Sequence, residues 1–373
     1  MDKEKNFFNQ GIVGGIEKVE KNQTITYLNV IKAISIFLVV FCHMTLLKSG
    51  GYIDNFSMLI CWIGVPCFFM VNGALLFNKE LNIKKHYKKV LTIYIVNIVW
   101  RIIYLILSTF ILHTNIDFTA KSEIFKYIFC FKTIKGVNTG HLYFIEALIS
   151  CYLIFPILYN NYKTKEGKKC LAIFTVIIFC LTYGVNIVNF ITKVILQSSK
   201  LDISGIRNIL PFSNYAHYLV LFIIGGFLHK YREKIQNIKY IKVLSVVLLI
   251  ICLIGLSLIR YTYTKTFKWN GTLLSNGYGR LCTFIMSISM FILIQGTEIK
   301  NKFVNKIVNI IGYSTLGIFY MHVPVLSICS QYLYRYIDAR GVPINVLKSI
   351  VTIFVVELII VILKRIPILK KLV

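Results

Sequence analysis

Residues 27–44 read YLNVIKAISIFLVVFCHM, an apolar run long enough to cross a bilayer as one helix. Two ionisable residues interrupt it, Lys32 and His43, eleven positions apart. At about 100° per residue that spacing returns to nearly the same helix face, about 16 Å further along the axis. A cation and an imidazole at membrane depth cost free energy unless they face protein or water, so the pair marks a candidate functional site. For Lys32 there is also a bland reading, a side chain that snorkels to the nearer headgroups.

The same kind of segment recurs along the chain. Apolar runs of membrane-spanning length lie near 26–47, 56–78, 88–112, 141–160, 170–192, 215–230, 240–260, 278–297, 309–332 and 345–366. With 57% hydrophobic residues and a mean hydropathy of +0.70, the composition exceeds what a soluble core uses. The expected fold is all-α, a polytopic membrane bundle of about ten transmembrane helices over residues 25–366. A polar cytoplasmic tail is expected at 1–24 and a short cytoplasmic tail at 367–373. Connections around 113–140 and 193–214 are short for a core of their own. Within the first of them, SEIFKYIFCFKTI (122–134) suits a short amphipathic helix at the membrane surface.

The net charge of +27 invites a nucleic-acid reading, but its 42 Lys and Arg are dispersed among short loops with no separate basic module. Topology explains them better. Placing both termini in the cytoplasm gathers Lys79, Lys84, Lys85, Lys88, Lys89 and the later clusters Lys163–Lys169, Lys230–Lys234 and Lys364–Lys371 on the inner side. Residues 1–24 lack the apolar core and small-residue cleavage site of a signal peptide, so the first helix is expected to be retained. The ten cysteines, among them Cys42, Cys61, Cys67, Cys151, Cys180, Cys252 and Cys282, show no paired spacing and read as small buried apolar residues. No HExxH, GxGxxG or P-loop pattern is present, so neither a metal nor a tightly bound cofactor is expected.

Other intramembrane polar groups carry the remaining signal. Arg101 falls in the third run and Glu146 in the fourth, just after His141. An Arg101–Glu146 ion pair, locking the bundle or shaping a cavity, is the usual way such charges are tolerated. Arg280 opens the eighth run and suits snorkelling to the interface. His322 sits about midway along the ninth.

Several of these stretches resemble blocks of the integral-membrane acyltransferase-3 family. YLNVIKAISIFLVVFCH (27–43) is similar to the family's first-helix motif, in which a basic residue precedes a histidine by eleven positions. WIGVPCFFMVNGALL (62–76) resembles its second-helix block, HLYFIEALISCYLIFPIL (141–158) its fourth, LVLFIIGGFL (219–228) a later glycine-containing helix, and IGYSTLGIFYMHVPVL (311–326) its penultimate helix with an embedded histidine. Five blocks follow in the family's order. Two positions depart from the pattern: Lys32 replaces the usual arginine, keeping charge but losing the planar fork, and Asn72 stands where a small polar residue often precedes glycine.

The resemblance implies transfer of an acyl group, acetyl first among them, from cytoplasmic acyl-coenzyme A to a hydroxyl of a cell-envelope glycan or lipid-linked sugar, in a bacterial cytoplasmic membrane. Acyl-coenzyme A is then a co-substrate, with no nucleic-acid partner. It casts His43, Glu146 and His322 as catalytic, Lys32, Lys88, Lys89 and Arg101 as contacts to coenzyme A, and His141 as a contact to the acceptor. His43 is either a general base or a covalent acyl carrier. Two other classes fit the composition: a secondary transporter using Lys32, His43, Arg101 and Glu146 as a polar path, and a non-catalytic membrane scaffold.

Overall fold

The computed structural model describes residues 26–46, 57, 59–192, 196, 202–210, 215–266, 280–333, 341–367 and 369–373. The tail expected over 1–24 lies outside them. The described residues are helical, with no strand among them. In chain order the helices are α1 (Thr26–Leu46), α2 (Gly64–Phe77), α3 (Ile83–Phe110), α4 (Lys121–Phe129), α5 (Tyr143–Lys163), α6 (Lys165–Phe179), α7 (Val185–Phe190), α8 (Ala216–Lys230), α9 (Arg232–Gln236), α10 (Ile241–Thr266), α11 (Leu281–Ile294), α12 (Lys302–Tyr332) and α13 (Val342–Leu363). A π turn, Cys180–Gly184, joins α6 to α7. Eight helical stretches are long and apolar enough to cross a membrane. The two other long apolar runs, α8 and α11, are shorter, with 15 and 14 residues.

Helix starts differ from the hydropathy reading for a local reason. α3 begins at Ile83 rather than 88 because Asn82 Oδ1 accepts from Lys85 N at 2.9 Å, capping a basic first turn that hydropathy rejects. α12 begins at Lys302 rather than 309 in the same way, with Asn301 Oδ1 accepting from Phe303 N and Val304 N. Thr164 caps α6 through Gly167 N at 3.0 Å. The expected amphipathic helix is α4, with Tyr127 buried and Phe125 and Phe129 exposed.

Burial runs opposite to that of a soluble protein along the long helices. On α3 the buried residues His86, Val90, Ile93, Asn97, Arg101, Tyr104 and Ser108 recur every three or four positions, whereas Leu91, Ile95, Ile102 and Ile106 are exposed. On α13, Asn345, Lys348, Ser349 and Thr352 are buried while Leu347, Ile350, Phe354 and Leu358 are exposed. Polar side chains inward and aliphatic ones outward is the pattern of helices whose surroundings are lipid.

The described chain divides into two compact units. The first comprises residues 82–149 and 301–373, and the second 26–81 and 150–300, so that α5 changes unit after Ile149. In the second unit α2 packs on α1, α8 and α11, and α10 packs on α11. A Cβ on Gly73 would lie 1.8 Å from Phe222 O, and one on Gly225 only 2.0 Å from Met70 O. The α2 and α8 backbones therefore touch, which only glycine allows. Asn72, beside Gly73, accepts from Tyr152 Oη at 2.6 Å and donates to Phe68 O.

In the first unit α3 packs on α4 and α12, and α12 on α13. Within the C-terminal tail expected over 367–373, Leu369–Leu372 form a turn: Leu372 O accepts Trp100 Nε1–H at 3.0 Å, and Val373 is 3% exposed against Gly317. Its apolar residues, Leu369, Leu372 and Val373, favour burial over solvation. The cysteine reading also needs correction, since Cys180 is exposed and Cys282 only half-buried.

Candidate functional site

The first unit concentrates ionisable side chains around the facing stripes of α3 and α12. Arg101 is 1% exposed and fully engaged at both terminal nitrogens. Its Nη1 donates to Tyr127 O at 2.9 Å and Lys132 O at 3.2 Å, and its Nη2 donates to Phe131 O at 2.9 Å and Glu146 Oε1 at 3.1 Å. The Tyr127 and Phe131 rings flank the guanidinium, and Tyr127 Oη returns a bond to Arg101 O. The expected ion pair with Glu146 is present, and its larger consequence is that one buried cation holds the whole α4 segment. Phe131 adopts φ +61°, a left-handed conformation that turns its carbonyl into this cluster at some backbone cost.

Proline and histidine together build the next layer. Pro324 lies inside α12 and has no N–H, so the carbonyl of Tyr320 four residues earlier is released from the helix ladder. Tyr104 Oη donates to that carbonyl at 2.8 Å. Having spent its only proton there, the phenol can only accept at His141 Nε2, 3.0 Å away. His141 Nε2 therefore carries the proton of that bond. His322 Nδ1 lies 3.1 Å from Ile318 O, an obligate acceptor, so Nδ1 carries a proton. The two imidazole rings meet edge to face at 5.2 Å, with Phe319 against both. The hydrogen bonds to Tyr104 and to Ile318 O fix the orientation of the two rings beside each other.

The structure thus brings Arg101, Glu146, His141 and His322 into one unit. Lys88 is exposed and Lys89 half-buried in the first turns of α3, in the same unit. Lys32 and His43 belong to the second unit, where both are half-buried on α1, in keeping with their shared helix face. Arg280, expected to snorkel, instead donates to Asn186 Oδ1 at 2.8 Å.

Several participants escaped the sequence reading. Tyr104 has a usable signal, one turn after Arg101 on the same face; the freed Tyr320 carbonyl was announced by Pro324 two residues after His322. Trp100 stacks on Tyr320 at 5.3 Å and an interplanar angle of 5°. Lys348 and Glu357 are ionisable groups within α13 that the high hydropathy of that run masks. Asn97, one turn before Arg101, is fully buried, and neither its Nδ2 nor its Oδ1 has a hydrogen-bond partner among the described residues.

Long apolar helices with exposed aliphatic faces and buried polar stripes define a helical membrane protein. The acyltransferase domain family matches residues 25–365, nearly the whole chain, and the chain belongs to that family, acyltransferase-3. No curated protein and no solved structure matches it. The class of activity follows from the family: the protein is a membrane acyltransferase.

Proposed function

We propose that the protein transfers an acyl group, acetyl foremost, from cytoplasmic acyl-coenzyme A to a hydroxyl of a cell-envelope glycan or lipid-linked sugar in a bacterial cytoplasmic membrane. Both termini are cytoplasmic in this reading, with ten transmembrane helices that include the shorter α8 and α11. The observation that carries it is the match to the acyltransferase family over residues 25–365. Neutral imidazole nitrogens match what removal of a hydroxyl proton requires near pH 7.

Lys88 and Lys89, in the first unit, attract the phosphates of coenzyme A; Lys32, in the second, is proposed separately as a contact to coenzyme A. His43 takes the proton from the acceptor hydroxyl as its oxygen attacks the thioester carbonyl. The carbon–sulfur bond breaks, and the departing thiolate recovers a proton from the imidazolium. In the covalent variant of the same chemistry the acyl group rests first on His43. In this reading His322 and His141 contact the acceptor. Glu146 and Arg101 hold that surface in place, Arg101 acting through the α4 segment that it binds.

Purified protein assayed for coenzyme A release and acyl transfer tests this. His43→Ala is expected to lower the rate by about 10²–10⁴-fold with the fold retained. Radiolabelled donor without acceptor separates the two routes, because only the covalent one leaves label on the protein. Solute flux in proteoliposomes without coenzyme A release would overturn acyl transfer in favour of transport.

A further inference from the structure

In the first unit, the chain leaving α3 forms an open cleft of about 580 Å³, lined by Thr109 and residues 113–118. Its frame is pinned on three sides. Thr114 N and Oγ1 both donate to Ser108 O at 2.9 Å, and Tyr332 Oη donates to Ile111 O at 2.8 Å. Gly136, at φ +88°, comes so close that an added Cβ would stand 3.1 Å from Asn115 O. His113 adopts φ +50°, a left-handed conformation that glycine takes at little cost. An imidazole kept in that conformation on the rim of a cleft is the kind of outlier that clusters at binding loops.

The lining is polar, and much of it can only accept. Thr109 Oγ1 donates to Leu105 O at 2.9 Å and Thr114 Oγ1 to Ser108 O, so each hydroxyl has spent its single proton on the backbone and keeps only lone pairs. Asp117 Oδ1 accepts from Thr119 Oγ1 at 2.5 Å and from Thr119 N at 2.9 Å. Those bonds, the hydroxyl's first, hold its carboxyl below the usual carboxylate range, and a carboxylate has no proton to give. Asn115, exposed, adds an amide that both donates and accepts. Among the described residues no lysine or arginine lines the cleft. Phe118, next in sequence to Asp117 and 50% exposed, supplies an aromatic face.

We propose that this cleft binds a neutral sugar residue. A lining of acceptors is complementary to a molecule rich in hydroxyl donors, and the Asp117 charge repels phosphate and carboxylate groups. A sugar ring also carries an apolar C–H face that lies on an aromatic ring while its edge hydroxyls reach carboxylate and amide side chains, the combination that Asn115, Asp117 and Phe118 offer. The volume is that of a small-molecule site, roughly 300–1,000 Å³. The sugar chemistry rests on the side chains alone; that the sugar belongs to the acyl acceptor rests on the proposed function. In the orientation given there α3 runs outward, so the cleft at its C-terminal end lies on the side where the acceptor arrives.

The test is saturation-transfer NMR on the full chain without acyl-coenzyme A, in a polyoxyethylene detergent, because a glycoside detergent would itself compete for the cleft. The probes are glucose, galactose and mannose, each paired with its uronic acid. Transfer to at least one neutral sugar, exceeding that to its uronic acid, is expected. Asp117→Asn should weaken the neutral sugar's apparent affinity by about tenfold and abolish the discrimination against the uronic acid. Phe118→Ala should weaken affinity by about fivefold and leave that discrimination intact. Both positions are exposed, so both variants should unfold at the parental midpoint. No transfer to any neutral sugar, transfer that both variants leave unchanged, or a uronic acid bound as well as its neutral parent overturns the proposal; so does a lowered midpoint in both variants, which would make the cleft structural. Because the assay holds no acyl donor, absence of sugar binding leaves acyl transfer standing, and a protein that binds sugar without transferring an acyl group would remove the proposed function and not this site.

Discussion

The two units solve the problem of packing membrane helices by different physics. In the second, α2 and α8 are pressed together through Gly73 and Gly225 until backbone meets backbone, a contact set by shape. In the first, α3, α4 and α5 are tied by one arginine whose terminal nitrogens reach three carbonyls and a carboxylate. Packing by shape tolerates almost no added atom, whereas packing by charge tolerates no missing partner. The difference separates contacts set by shape from contacts set by charge.

The largest expected effect attacks the polar side. Arg101→Met removes the cation from a half-buried carboxylate and three carbonyls, and should cost about 3 kcal/mol, read as a lowered unfolding midpoint with α4 amides losing protection from exchange. Adding Glu146→Gln should then cost much less than it does alone, because the pair acts as a unit. Additive losses would dissolve the contrast. On the other side, Gly225→Val places carbon where Met70 O already sits and should cost about 3 kcal/mol through overpacking. A folded variant of parental stability would mean that the α2–α8 contact is soft.

Asn97→Leu runs in the opposite direction. Burying an amide without partners is unfavourable, so the substitution should raise stability by about 1 kcal/mol; a fall would point to a bound water or ligand at that site. The smallest effect is electrostatic. Lys132, then Lys126, hold the Glu123 carboxyl below the usual carboxylate range through hydrogen bonds. A depressed folded value means that the contribution is present above the ordinary carboxylate pKa and is lost as pH falls through the lowered one. Amide exchange across α4 should therefore quicken at acid pH, and Glu123→Gln should abolish that dependence while leaving Arg101's anchoring bonds in place.

Legibility followed the range of the interactions. The spans, the Arg101–Glu146 pair and the short helix at 121–129 all follow from hydropathy, charge pairing and helical periodicity, which operate within one segment or between obvious opposites. Helix starts at Ile83 and Lys302 were missed because a single asparagine outweighs the polarity of the following turn. The Arg280–Asn186 bond was not legible because its partners are 94 residues apart and Asn186 is neutral.

By itself the sequence determined that the chain is a bundle of apolar helices, which residues are too costly to bury without a purpose, and, through five ordered blocks, the family. Those properties are encoded by transfer free energy and by local motif. Only the tertiary structure decided that Arg101 is spent on holding α4, that Pro324 hands the Tyr320 carbonyl to Tyr104 and thereby puts the proton of the next bond on His141 Nε2, and that Arg207 and Arg280 both donate to Asn186. A hydrogen bond is specified by the positions of both partners, and hydropathy or spacing along one segment supplies only one of them.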